Sequence, residues 1–116
     1  MSEPKNHLSS ARCSDLAEDI SVIGQDEAVS HIRDLDPQWQ INIEEKTISH
    51  TFTFKNYYQT IAFVNVIAQI AHQQDHHPDL LASYNRCTVT YTTHNIGGLS
   101  MKDLICAAKI NAAQNL

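Results

Sequence analysis

The stretch TISHTFTF, residues 47–54, alternates strictly, with Ile48, His50, Phe52 and Phe54 on one face and Thr47, Ser49, Thr51 and Thr53 on the other. A period of two is that of a half-buried strand. From Asn56 the period changes. In NYYQTIAFVNVIAQIAHQQD, residues 56–75, apolar side chains cover nearly the whole circle at about 100° per residue. The gap in that coverage is a narrow stripe holding Asn65, Gln69, His72 and, just beyond, His76. A surface helix needs an apolar arc of little more than about 100°. This helix therefore predicts cover on two sides, by its own sheet and by a second copy of the chain. The expectation is a homodimer or homotetramer packed through helix 56–75.

Upstream, Trp39, Ile41 and Ile43 alternate with Gln40 and Asn42, and Glu44-Glu45-Lys46 is a polar turn, so residues 39–54 read as a hairpin. Before it, Ala28, Val29, Ile32 and Leu35 recur at helical spacing, with Asp26 a candidate N-cap and Asp36-Pro37 beyond the end. Residues 1–25 read as a loosely ordered arm and 26–116 as the folded domain. Downstream, Pro78 is expected to close the long helix, because a residue preceding proline is pushed out of helical geometry. A loop then leads to Cys87, Val89 and Tyr91, alternating with Thr88, Thr90 and Thr92 in a strand that ends at His94. Asn95-Ile96-Gly97-Gly98 is a turn. Ser100 caps a last helix, with Asp103 at the third position of a capping box. This order predicts a single α+β domain, an antiparallel four-stranded sheet with three helices packed on one face.

Composition narrows the function classes. Of 116 residues, 42% are hydrophobic and 18% charged, which is globular. The formal charge is −5 and the 8 Lys and Arg are scattered, so no basic run tracks a phosphate backbone and no direct nucleic-acid binding is expected. Cys13, Cys87 and Cys106 form no paired framework and read as reduced thiols. The polar N-terminus offers no secretory h-region. The most apolar run, 61–71, is too short to span a bilayer. A cytoplasmic protein without membrane contact is expected.

Seven histidines are many for this length. Asp75-His76-His77-Pro78 sits where the long helix stops, and His94 sits at a strand end. Residues at element ends can converge on a cleft, where Thr92, Thr93 and Asn95 would add hydrogen-bonding groups. Crowded imidazoles split into acid and base near neutral pH, since two adjacent imidazolium ions repel. Two other readings stand beside this one. A His-His pair at a helix C-terminus is also a favourable solvated end. His72 and His76, four apart on one helix face, with His94 as a third ligand, would suit a metal. Against a metal, there is no HExxH, and Asp75 and Asp79 stand at no ligand spacing.

The run A-H-x-x-D-H-H-P-D from Ala71 to Asp79, Tyr84-Asn85, T-V-T-Y-T-T-H from Thr88 to His94, G-G-L-S from Gly97 and Asp103 resembles the signature of the pterin-4a-carbinolamine dehydratases in order and spacing. Trp39 and the Phe52-x-Phe54 strand resemble that family's first hairpin. The resemblance covers roughly residue 26 to the end. It implies dehydration of 4a-hydroxytetrahydropterin to quinonoid dihydropterin by histidine acid/base catalysis, recycling the cofactor of aromatic amino acid hydroxylases. It implies no metal or cofactor beyond the pterin substrate. By position it assigns His76, His77, His94 and Asp103 as catalytic. It assigns substrate contacts to Asp75, His76, His77, Pro78, Thr92, Thr93, His94 and Asn95. His76 and His94 would be the proton-transfer pair, with His77 orienting the substrate. Position 72 is histidine where many members carry glutamate, and Leu80 stands where some carry an aromatic. The family also implies an alternative, a non-catalytic dimerisation or partner-binding module for a hydroxylase or a transcription factor.

Overall fold

The alternation over 47–54 becomes one strand of a sheet, and the helical period after it becomes the helix lying across that sheet. The computed structural model describes residues 7–16 and 20–114. In chain order these form α1 (His7–Ser10), a 3-10 turn (Cys13–Asp15), α2 (Gln25–Arg33), β1 (Gln40–Asn42), β2 (Thr47–Thr53), α3 (Tyr57–Gln74), β3 (Asp79–Ala82), β4 (Arg86–Tyr91), a second 3-10 turn (His94–Ile96) and α4 (Met101–Gln114). The sheet order is β1-β2-β4-β3 and every neighbouring pair is antiparallel. The architecture is thus the expected α+β one, a four-stranded antiparallel sheet with helices on one face. The short α1 adds to the three anticipated helices.

One face of the sheet makes the core. Ile48, Phe52, Cys87, Val89 and Tyr91 are buried under Phe63, Ile67 and Ala71 of α3 and Leu104, Ala107, Ala108 and Ile110 of α4. Trp39 joins β1 to α4, since its indole Nε1 donates to Asn111 Oδ1 at 3.0 Å. The opposite face keeps the hydroxyls, with Thr51 and Thr88 hydrogen-bonded across strands at 2.8 Å.

Local rules decide where the elements stop. Asn56 caps α3, its Oδ1 accepting from Gln59 N at 2.9 Å. The C-terminus of α3 is closed by Asp75, three residues before Pro78. Asp75 takes the left-handed conformation (φ 52°), His76 N donates to Ala71 O, and Asp75 N donates to His72 O. This is a Schellman closure with aspartate in the place usually held by glycine. The cap of α2 also differs from expectation. Gly24 is the N-cap and Asp26 lies inside the first turn, where its charge complements the helix dipole. The segment expected as a loop after Pro78 contains β3. All four of its residues are exposed, so this edge strand has no buried face and left no alternation to read.

The arm expected over 1–25 is packed along its described part. Leu8 and Cys13 are buried, Lys109 Nζ donates to Ser9 O at 3.0 Å, and Cys13 N donates to Gln74 Oε1 at 2.9 Å. Ala11, Leu16 and Ile23 of the same arm pack against the core beside them. Residues 1–6 and 17–19 of that arm lie outside the described residues.

Candidate active site

The Schellman turn at Asp75 carries the chain off the α3 axis and turns His76 inward. Its Nε2 lies 2.6 Å from Oδ1 of Asp103, with the imidazole 11% exposed and the carboxylate fully buried. The ring stacks on Tyr91 of β4, centroids 5.3 Å apart and planes 17° apart. Burial pushes the Tyr91 hydroxyl far above its ordinary range, so it stays protonated and donates to His76 O at 3.4 Å.

Asp103 is held by α4's own N-terminus. Ser100 N donates to Asp103 Oδ2 at 2.9 Å, and Lys102 N donates to Ser100 Oγ at 3.2 Å. The expected capping box is therefore present, and the same carboxylate faces His76. Thr93 Oγ1 makes a further 2.8 Å bond to Asp103 Oδ2 and lies 2.8 Å from Ser100 Oγ. The turn over 94–97 brings these residues together. Thr93 and Gly98 bridge each other across it, and Gly97 supplies the left-handed φ of 71° that closes it.

A carboxylate that already accepts from two donors on Oδ2 takes a proton-bearing nitrogen on Oδ1. This selects the Nε2–H tautomer of His76 and leaves Nδ1 as the basic nitrogen. No buried side-chain nitrogen or oxygen among the described residues lacks a hydrogen-bond partner. Since Nδ1 makes no such bond, it reaches solvent. The site thus holds an accessible imidazole base backed by a buried carboxylate.

The other expected site residues are placed as follows. His77 and His94 are exposed, as are Asp75 and Asn95, while Pro78 and Thr92 are half-buried. His94 lines a cleft of about 380 Å³ with Lys46, Asp79, Thr90 and Thr92. In that cleft Thr92 Oγ1 donates to Lys46 O at 2.7 Å. Thr93 is only 3% exposed, so its hydroxyl is spent on Ser100 and Asp103. His76 lies outside α3, so it shares no helix face with the exposed His72. Among the described residues no group of three or more His, Cys, Asp or Glu stands close enough to hold a metal ion. Reading the sequence missed Tyr91 as the surface beneath His76 and Ser100 as more than a cap. The capping box signals both Ser100 and Asp103, but nothing local says which imidazole they meet.

An antiparallel α+β sandwich with an imidazole locked to a buried carboxylate where helix and strand ends meet defines a small domain equipped for acid/base chemistry. Residues 21–113 match the profile of the pterin 4 alpha carbinolamine dehydratase family. A protein of Nitrosomonas eutropha, provisionally named a pterin-4-alpha-carbinolamine dehydratase, is 47% identical over 104 residues, covering 90% of each chain. One of Nitrosospira multiformis with the same provisional name is 50% identical over 104 residues, covering 90% of this chain and 89% of its own. Among solved structures, a transcriptional coactivator/pterin dehydratase from Brucella melitensis superposes with a TM-score of 0.74 at 33% identity, covering 79% of this chain and 97% of that one. A pterin dehydratase-like protein described as a RuBisCO assembly factor in the alpha-carboxysome shares the fold, with a TM-score of 0.55 at 21% identity, covering 64% of this chain and 86% of that one. The chain belongs to the pterin 4 alpha carbinolamine dehydratase family, whose enzymes are hydro-lyases.

Proposed function

We propose that this chain dehydrates a 4a-hydroxytetrahydropterin to the quinonoid dihydropterin, with His76 as its central proton-transfer group. In the reaction the C4a–O bond breaks, N5 gives up its proton, a C4a=N5 double bond forms and water leaves. The observation that carries the reading is the 2.6 Å contact between His76 Nε2 and the buried Asp103. Asp103 holds the tautomer that leaves Nδ1 free to take the N5 proton, and its charge stabilises the imidazolium that results. His94, exposed beside the cleft, is suited to protonate the leaving hydroxyl, and His77 to orient the ring. Asp75, Pro78, Thr92 and Asn95 surround the same turn and strand end and would contact the pterin. Thr93 acts from behind the imidazole. The reaction needs no metal and no cofactor beyond the pterin substrate. Recycling of a hydroxylase cofactor in the cytoplasm, beside a hydroxylase partner, belongs to the same reading.

A second reading has its own observation. Within one chain α3 buries only the stripe Thr60, Phe63, Ile67 and Ala71, leaving Val66 41% and Tyr58 85% exposed. Such a face suits assembly into a dimer or tetramer, or docking of a partner without catalysis.

The two are separated by assaying chelator-treated protein on 4a-hydroxytetrahydropterin generated in situ, following the ultraviolet change to the quinonoid product. Wild type is expected to accelerate the reaction. His76→Ala should lose about 10²–10⁴-fold, and Asp103→Asn a comparable amount through the wrong tautomer. Folded wild type that gives only the spontaneous rate sinks the catalytic reading and moves the binding module to first place.

A further inference from the structure

We infer that Thr93 and Ser100 are positioning residues for the proton step, setting the orientation and proton affinity of His76 through Asp103. The inference rests on His76 being the proton-transfer group. Four side chains form one directed chain. Lys102 N donates to Ser100 Oγ at 3.2 Å, which leaves the Ser100 hydroxyl proton for Thr93 Oγ1 at 2.8 Å. The Thr93 proton then goes to Asp103 Oδ2 at 2.8 Å, beside the Ser100 N–H at 2.9 Å. Oδ1 remains for the His76 Nε2–H at 2.6 Å.

Helix capping explains only part of this. The cap needs the Ser100 hydroxyl on Lys102 N and the Asp103 carboxylate on Ser100 N. It does not need Thr93, a residue only 3% exposed whose volume a valine would fill. A second donor on Oδ2 has a consequence for the imidazole. Each hydrogen bond given to a carboxylate lowers its basicity and therefore its hold on the neighbouring proton. Two donors also fix the plane of the carboxylate, and with it the direction of Oδ1 toward Nε2.

The other titratable groups about His76 are few. Asp75 and His77 flank it in sequence, Tyr91 lies under the ring from β4, and Asp103 faces it from α4, with Cys106 behind them beside Tyr91 and Asp103. The Cys13 thiol, on the 3-10 turn, is held below its ordinary range chiefly by its hydrogen bond with Cys106. The Cys13 thiol and burial push Cys106 up, and burial pushes Tyr91 up, so both stay neutral and Asp103 is the anion in contact.

The test is the pH profile of kcat/KM for Thr93→Val, Thr93→Ser and Ser100→Ala, alongside NMR titration of the His76 imidazole. Thr93→Val removes a donor, makes Asp103 more basic and raises the proton affinity of His76. The acidic limb should move to higher pH by about half a unit to one unit, with a lower plateau. Thr93→Ser should restore it, and Ser100→Ala should shift the limb in the same direction by less. Ser100→Ala alone decides the matter should Thr93→Val not fold. Profiles and imidazole titrations that superpose on wild type, with only the melting temperature lowered, overturn the inference. A shifted imidazole titration with an unshifted rate profile upholds the relay and overturns instead the role of His76 in turnover.

Discussion

Two imidazoles on the helix-facing side of this sheet do different work because their neighbours differ. His76 meets a buried carboxylate. His50 meets rings, Phe52 at 4.4 Å and Trp39 at 5.9 Å between centroids. Burial there lowers the His50 pKa below its ordinary 6.5, partly offset by a hydrogen bond with the Gln38 backbone. The unfolded chain therefore binds this proton more readily than the folded one. The stability contributed by neutral His50 is complete above about 6.5 and is lost as pH falls through the depressed folded value. Melting temperature should accordingly fall less in His50→Phe than in wild type between about pH 7 and pH 5. Equal slopes would refute this account of His50. At this scale the sequence offers His76, His77, His94 and Asp103 as candidates, since residue type and position at element ends are local facts. It did not separate their environments. That one histidine is locked to a carboxylate while two are exposed depends on contacts 27 residues apart.

Elements were legible wherever a local rule spoke clearly. Strand β2 and helix α3 follow from a period of two giving way to one of 3.6, and α4 from the capping box of Ser100 and Asp103. Asn56 starts α3 by the same physics, and it stands away from the candidate site. Asn56→Ala should cost about 1 kcal/mol of stability, read by chemical denaturation, while dehydratase turnover stays at the wild-type level. A loss below about 0.3 kcal/mol would mean that Gln59 N finds another acceptor. Elements were illegible where the signal was weak or shared. Edge strand β3 has no buried face. The stop of α3 is shared between Asp75 and Pro78, and only backbone geometry reveals that aspartate takes the left-handed turn.

Across the whole molecule, the breadth of the apolar surface on α3 exceeds what one chain covers. The expected assembly through this helix predicts a dimer or tetramer by light scattering. Val66→Glu, at the exposed centre of that face, should reduce it to monomer, because a carboxylate desolvated at a packed apolar seam is strongly disfavoured. A wild-type monomer at micromolar concentration would remove α3 as an assembly surface. No helix among the described residues is long and apolar enough to cross a membrane, which agrees with the short apolar run at 61–71. What the sequence determined by itself is the class of fold, most element positions and the set of imidazoles, because periodicity, caps and residue chemistry act over a few neighbours. Tertiary structure alone decided that Trp39 closes on Asn111, that the described arm packs on α4, and that Ser100, Thr93, Asp103 and His76 form one hydrogen-bonded chain. Those contacts join residues far apart along the chain, and only the packing of α3, β4 and α4 around one core brings them within bonding distance.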